Sequence, residues 1–237
     1  MTSSKPRRAI IIPAAGSGTR FQSALPKQFH ILGNDPVIVH TLRTACAVSD
    51  VGTISIGVQG DIDNMYIRLR GWGITDARVH VYEGAEERQL TVLKGLHHWS
   101  MNSVNAEGVV LVHDAVRPLA TVELWERVAV AAEQYGAAIP FLPMADTVKM
   151  VSDGVVERTL DRSRIVRVQT PQGFRIALLR SSYERAIAEG LSLTDCSSAV
   201  ERSGHTVHLV TGEDVNVKVT TPYDLAMAEI VVANIAR

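Results

Sequence analysis

The sequence predicts an α/β protein: a Rossmann-like, mostly parallel twisted sheet flanked by helices, with a protruding β-arm. Three observations carry this. Short apolar runs alternate with longer amphipathic stretches, the pattern of strands joined by crossover helices. The runs AIIIP and VVLV are apolar at consecutive residues, as strands covered on both faces must be. One stretch breaks the rhythm, with alternating residues on both sides of Asp153-Gly154, a hairpin signal.

Taken in order, residues 9–13 read as a buried first strand, 37–48 as a helix and 53–58 as a second strand. A weaker helix is expected over 62–72 and a third strand over 78–82. Over 86–99, Leu90, Leu93 and Leu96 share one helical face. Residues 109–113 form the next buried strand. Thr121 caps a helix running to about Tyr135, Gly136 stops it, and a strand follows at 137–142. Helices ended by Gly190 and Gly204 are expected over 176–189 and 194–202, with strands over 206–210 and 215–219. Thr221-Pro222-Tyr223-Asp224 opens the last helix with an N-cap, a proline at the first helical position and an acid in the first turn. The arm falls at about 144–168, and a single domain covers 1–237, since no repeat or low-complexity linker divides the chain.

At 237 residues, 46% hydrophobic and 21% charged, the chain can bury a sizeable core. Its net charge of −1 gives no electrostatic footprint for nucleic acid or an anionic membrane, so an anionic ligand must meet local charge. Two distant cysteines, Cys46 and Cys196, make neither a disulfide framework nor a metal-ligand pattern and suit a reducing compartment. The basic start leads into an apolar run of only residues 9–12, too short for a signal-peptide core, and no stretch reaches transmembrane length. A cytoplasmic location is expected, with neither nucleic acid nor membrane as partner.

In open parallel sheets, ligands bind beyond the carboxyl ends of the strands. The first strand is followed by Ala14-Ala15-Gly16-Ser17-Gly18-Thr19-Arg20 and then Pro26-Lys27. The third is followed by Gly84-Ala85-Glu86-Glu87-Arg88, and VVLVH by Asp114-Ala115-Val116-Arg117. Small residues let the first loop's backbone approach a ligand, and its N–H groups can cradle phosphate oxygens. Phe21 stands where a dinucleotide fingerprint wants a third glycine, and no Walker loop is present. Two readings of Asp114 stand: a Mg²⁺ ligand, direct or through water, or an ion-pair partner of Arg117. A second cationic group, Lys149, Arg158, Arg162, Arg164 and Arg167, lies in or beside the arm, where solvated charge is common. Lys218 could equally be a charge that protects a sheet edge.

The runs IIPAAGSGTRF, LPKQF, LVHDAVRP, DTVK, LDR, QTPQGF, LTD and NVKVTTPYDL, in this order, resemble the sugar-nucleotidyltransferase-like cytidylyltransferases, and among them the 2-C-methyl-D-erythritol 4-phosphate cytidylyltransferase family, over nearly the whole chain. The resemblance implies transfer of CMP from CTP to a small polyol phosphate, with Mg²⁺ or another divalent cation. It implies that Ala14, Ala15, Gly16 and Gly18 line the nucleotide site through their backbone, with Gly84, Glu86 and Thr91 at the cytosine and Asp114 at the ribose and metal. Arg20, Lys27 and Lys218 would stabilise phosphate charge. Arg117, Thr170, Thr194 and Asp195 would serve the acceptor, which Thr147 and Arg162 would reach from the arm of a second subunit in a homodimer. The chain departs from the family at Ala85, usually Gly, at Thr91, usually Ser, and at Cys196-Ser197, where the family has an acid and then Ala.

The related ribitol-5-phosphate cytidylyltransferases share HDAVRP and KVTTPYDL, but Thr147-Val148-Lys149 and Leu160-Asp161-Arg162 look more like the methylerythritol enzymes. A GT-A-like glycosyltransferase would want an Asp-x-Asp motif, which His113-Asp114-Ala115-Val116 does not supply. A non-catalytic nucleotide-binding regulator is a third class, against which Arg20, Lys27 and Lys218 argue.

Overall fold

A computed structural model describes residues 5–16, 21, 23 and 25–235. β1 (Arg8–Pro13) sends Ile10 and Ile12 into one core cluster and Ala9 and Ile11 into the other, so a run apolar at successive positions is buried on both faces. The short ribbon β2 (Ile31–Leu32) and β3 (Asp35–Pro36) leads into α1 (Val37–Ala47). β4 (Val51–Val58), α2 (Ile62–Gly71) and β5 (Val79–Glu83) follow, with the Asp61 carboxylate capping α2 by accepting from Asn64 N–H. α3 spans Arg88–His97, shorter than the expected 86–99, and Trp99–Ser103 forms a separate 3₁₀ turn.

β6 (Val109–Val112) divides its side chains as β1 does, Leu111 to one cluster and Val110 and Val112 to the other. α4 (Val122–Tyr135) starts where Thr121 accepts from Leu124 N–H and stops at Gly136, whose φ of 89° a side chain would resist. β7 (Ala137–Pro143) precedes the arm, whose hairpin pairs β8 (Lys149–Ser152) with β9 (Val155–Thr159). Asp153 and Gly154 both have positive φ, 49° and 80°, as a tight hairpin turn requires. β10 (Val166–Val168), expected at the end of the arm, instead joins the main sheet antiparallel to β7. β11 (Gln172–Arg175), α5 (Ile176–Ala188), α6 (Cys196–Arg202), β12 (His208–Thr211) and α7 (Pro222–Ile235) complete the described chain.

The main sheet runs β10-β7-β11-β6-β1-β4-β5, with β12 also paired to β7. β1, β4, β5 and β6 are parallel to their neighbours within that group, as is β12 to β7. The expected mostly parallel sheet therefore holds around β1, while β11, which the sequence reading lacked, runs antiparallel between β6 and β7. A Cβ on Gly173 would come within 2.9 Å of Ala132 and 3.0 Å of Val128, so glycine here lets α4 lie close against β11. Residues 215–219, expected as a strand, form an irregular loop that buries Asn216 and Val219.

The chain passes from β1 outward through β4 and β5, then crosses to β6 on the other side of β1. This reversal opens a crevice at the carboxyl ends of β1 and β6. Because β11 is antiparallel, the residues that precede it arrive at the same edge, with Gln172 opposite Val112. Among the described residues no helix is long and apolar enough to cross a membrane.

Candidate active site

Two adjoining clefts occupy that edge. The first, of about 590 Å³, is lined by Pro13, Ala14, Ala15, Gly16, Lys27, Gln28, Arg88, Thr91, Asp114, Ala115, Val116 and Lys218. Its first loop is pinned at one residue from both sides: Ala14 N–H donates to Gly57 O at 2.7 Å, and the buried Gln28 amide donates to Ala14 O at 2.7 Å. Opposite, Thr91 Oγ1 accepts from Ala85 N–H at 2.9 Å, and Lys94 Nζ donates to Gly84 O at 2.9 Å. A Cβ on Gly84 would lie 2.6 Å from that of Ala15, so the two loops approach only because this residue is glycine.

Asp114, at the carboxyl end of β6, is buried and faces three cations: Lys218 Nζ at 2.8 Å, Arg88 Nε at 3.2 Å and Arg117 Nε at 3.6 Å. Burial alone would push its carboxyl up, but the attraction of Arg88, Lys218 and Arg117 holds it well below the usual carboxylate range. The ion pair with Arg117 that the sequence allowed is thus present, as one of three. Behind it, Thr170 Oγ1 accepts from Asp114 N–H and meets His113 Nδ1, each at 3.1 Å. His113 Nε2 lies 3.1 Å from Arg117 O, a pure acceptor, so Nε2 carries the proton and the Thr170 hydroxyl donates to Nδ1. Burial lowers the His113 pKa to about 4, and the ring is neutral at pH 7.

The second cleft, of about 430 Å³, shares Arg88, Asp114 and Lys218 with the first and adds Arg117, Val168, Gln169, Thr170, Gln172, Thr194 and Asp195. Gln172 donates to Asp195 Oδ2 at 2.7 Å while its Oε1 accepts from Cys196 N–H at 3.0 Å, which fixes both the acid and the start of α6. Asp195 caps that helix by accepting from Ser198 N–H, so α6 starts at Cys196, two residues after the expected 194. Gln169 donates to Glu213 O and accepts from Glu213 N–H, at 2.8 and 3.0 Å, and Asn216 donates to Thr170 O at 2.9 Å. These bonds clamp the loop that carries Lys218.

The residues named from sequence separate into groups. Ala14, Ala15, Gly16, Lys27, Thr91, Asp114 and Lys218 line the first cleft, with Gly84 packed behind Ala15. Asp114 and Lys218 also line the second, with Arg117, Thr170, Thr194 and Asp195. Gly18 and Arg20 lie outside the described residues. Glu86 is exposed and lines neither cleft. Thr147 and Arg162 are exposed on the arm, where Arg162 Nη1 donates to Ala145 O, and the chain does not bring them to its own clefts. The Thr91 hydroxyl is spent on its own loop, bonding to Ala85 N–H, Ala85 O and Glu87 O. Gln28, Gln169, Gln172 and Asn216 were not singled out. Their signal was a polar side chain inside a motif otherwise read for its cations and glycines.

Among the described residues no group of three or more His, Cys, Asp or Glu side chains could hold a metal ion. In the first cleft Asp114 is the one carboxylate among the described lining residues, and cations engage both its oxygens. That donor set suits a hydrated Mg²⁺ that arrives with phosphate oxygens, not a cation caged by the protein.

A small-residue loop at the end of β1, cations converging from three other segments and a second polar cleft define a nucleotidyltransferase. Comparison with known proteins narrows this. The family model for IspD, 2-C-methyl-D-erythritol 4-phosphate cytidylyltransferase, matches residues 8–234. The chain is 40% identical over 229 residues to the protein of that name from Acidobacterium capsulatum, covering 92% of this chain and 94% of the relative. It is 39% identical to that of Syntrophus aciditrophicus, covering 95% of each. Among solved structures, 4-diphosphocytidyl-2C-methyl-D-erythritol synthase from Anaerococcus prevotii superposes with a TM-score of 0.80 at 28% identity, covering 95% of this chain and 96% of that one. The 2-C-methyl-D-erythritol 4-phosphate cytidylyltransferase of Thermus thermophilus gives 0.75 at 30% identity, covering 95% and 98%. The chain belongs to the 2-C-methyl-D-erythritol 4-phosphate cytidylyltransferase family, whose members are CTP-dependent nucleotidyltransferases.

Proposed function

We propose that this chain transfers CMP from CTP to 2-C-methyl-D-erythritol 4-phosphate, giving 4-diphosphocytidyl-2-C-methyl-D-erythritol and pyrophosphate in the non-mevalonate route to isoprenoids. The observation that carries the reading is the pair of clefts that meet at Asp114, Arg88 and Lys218. One cleft has the small-residue loop for a nucleotide, the other the polar side chains for a small phosphorylated polyol.

An oxygen of the acceptor's phosphate attacks the α-phosphorus of CTP in line. The bond from that phosphorus to the oxygen bridging to the β-phosphate breaks, and pyrophosphate leaves with the electron pair. The attacking monoester is already anionic near neutral pH, so no strong base is needed, and catalysis rests on positioning and charge neutralisation. Lys27 and Lys218 border the first cleft and serve the charge on phosphorus, as does Arg20 by the family's pattern. The backbone of Ala14, Ala15, Gly16 and Gly18 holds the nucleotide, and Gly84, Glu86 and Thr91 form its cytosine side. Thr91 acts through the Ala85 backbone that its hydroxyl orients. Arg117, Thr170, Thr194 and Asp195 form the acceptor side. Asp114 would hold Mg²⁺, directly or through water; when bound with the triphosphate, the ion would offset phosphate charge.

The active unit is a homodimer in which the arm carries Thr147 and Arg162 to a second copy's acceptor site. Supporting this, every residue of β8 and β9 is exposed, including Val151, Val155 and Val156. A CTP donor supports a cytoplasmic location for the enzyme. The test is pyrophosphate release with CTP and Mg²⁺, offering 2-C-methyl-D-erythritol 4-phosphate and ribitol 5-phosphate in parallel. Strong preference for the first is expected. Preference for the second would overturn the acceptor, and release with neither would overturn the reading.

A further inference from the structure

Arg88 sits in the wall between the two clefts, and its guanidinium has a second partner besides Asp114. Its Nη1 lies 3.5 Å from Cys196 Sγ, on the first residue of α6. The sulfur also accepts from Tyr183 O–H at 3.1 Å. Both Cys196 and Tyr183 are fully buried, so water does not reach the sulfur. Cys196 N–H is itself held by Gln172, which fixes the backbone from which the sulfur projects.

We infer that Cys196 is a positioning residue for CTP binding: its sulfur anchors Arg88 so that the guanidinium stays between Asp114 and the phosphates in the first cleft. This rests on the cytidylyltransferase reading and deepens it. A long arginine side chain loses several rotamers when held in one place. A fixed acceptor on α6 makes that loss part of folding rather than of ligand binding. The sulfur is suited to this because it accepts without taking Arg88's charge. Burial raises the thiol's pKa despite the nearby Arg88 and the Tyr183 hydroxyl, so it stays a neutral thiol near pH 7.

A packing role and an anchoring role differ in what serine does. A serine hydroxyl accepts a hydrogen bond but suits an apolar site worse than sulfur; alanine neither accepts nor fills the sulfur's place. The experiment measures CTP affinity by titration calorimetry, and kcat and KM for CTP, in the wild type, Cys196→Ala and Cys196→Ser, with melting curves as a fold check. Cys196→Ala is expected to weaken CTP binding and raise its KM about tenfold, with kcat changed less than threefold, as loss of one hydrogen bond to a charged group in the ground state would. Cys196→Ser is expected to recover affinity to within about threefold of wild type despite melting no higher than the alanine variant. Equal CTP affinity in wild type and Cys196→Ala, or serine no better than alanine, overturns the inference. Should Cys196→Ala unfold, Tyr183→Phe carries the test: it keeps the sulfur but removes the hydroxyl that orients it, and unchanged CTP affinity there overturns the inference. A wild type that binds CTP but does not turn it over fails the functional reading alone.

Discussion

At the sheet edge, Asp114, Gln169, Thr170 and Gln172 are buried, and each has hydrogen-bonded partners within its own chain. Along β8 and β9, every residue is exposed and the strands contact each other but lack a core of their own. The difference separates two ways of making a site. The cleft's polar side chains are oriented by bonds already in place, so its geometry is a property of the folded chain. A lone two-stranded hairpin is marginal in water, and a surface of exposed valines gains only by being covered. In the proposed homodimer, the arm's residues would acquire a defined place when a second copy supplies that cover.

The comparison breaks most sharply at the cations. Lys27→Ala or Lys218→Ala is expected to lower kcat about 10²–10³-fold, the cost of one group that meets developing charge, while thermal unfolding moves by only a few degrees. A stable variant with full turnover would show that the cleft does not work by charge. The arm answers to a mixing test. Arg162→Ala and Lys27→Ala should each be inactive as homodimers, yet mixing and exchanging equal amounts should restore about a quarter of wild-type activity, because half the dimers would be mixed and one site in each complete. No recovery on verified subunit exchange would place Arg162 in its own subunit's site, or in none.

A smaller effect separates the two regions by pH. His113 is neutral in the folded state down to about pH 4, beside Asp114, Arg117 and Arg88 and under the Trp125 ring, 4.5 Å between ring centroids. Unfolded, it would titrate near its ordinary pKa of about 6.5. Its contribution is therefore complete above that value and is lost as pH falls toward 4. Between pH 7 and pH 5 the loss is about 2 kcal/mol, checked by urea unfolding of wild type against His113→Phe. The exposed arm should show no comparable change. Smallest of these is Gln28→Ala, which leaves Ala14 O without its side-chain donor. It should cost about 1–2 kcal/mol of stability and raise the KM for CTP severalfold with little change in kcat.

Where local chemistry decides structure, the sequence was legible. Thr121 and Gly136 bounded α4, Asp153-Gly154 turned the hairpin, and the apolar runs became β1 and β6. Polar residues following parallel strands led to Asp114, Lys27 and Arg88. The same rule could not find Gln169, Thr170 and Gln172 as site-formers, because they precede or open an antiparallel strand and reach the edge from the other direction. Only the family resemblance placed Thr170. Residues 215–219 alternate as a strand would, but the alternation reflects Asn216 turning inward to Gln169 and Thr170, not a ladder. Nothing local in those five residues distinguishes the two.

That clamped loop has a consequence for exchange with solvent. Gly212 N–H donates to Phe141 O, Glu213 N–H to Gln169 Oε1 and Val219 N–H to Val116 O, at 2.8, 3.0 and 2.8 Å. In deuterated buffer without ligand, these three amides should resist labelling as long as those of β6, although the segment has no regular secondary structure. Slow labelling of the ligand-free enzyme would mean that the cation at position 218 is presented ready-made to each incoming nucleotide. Saturating CTP would then leave the exchange rates of these amides nearly unaltered.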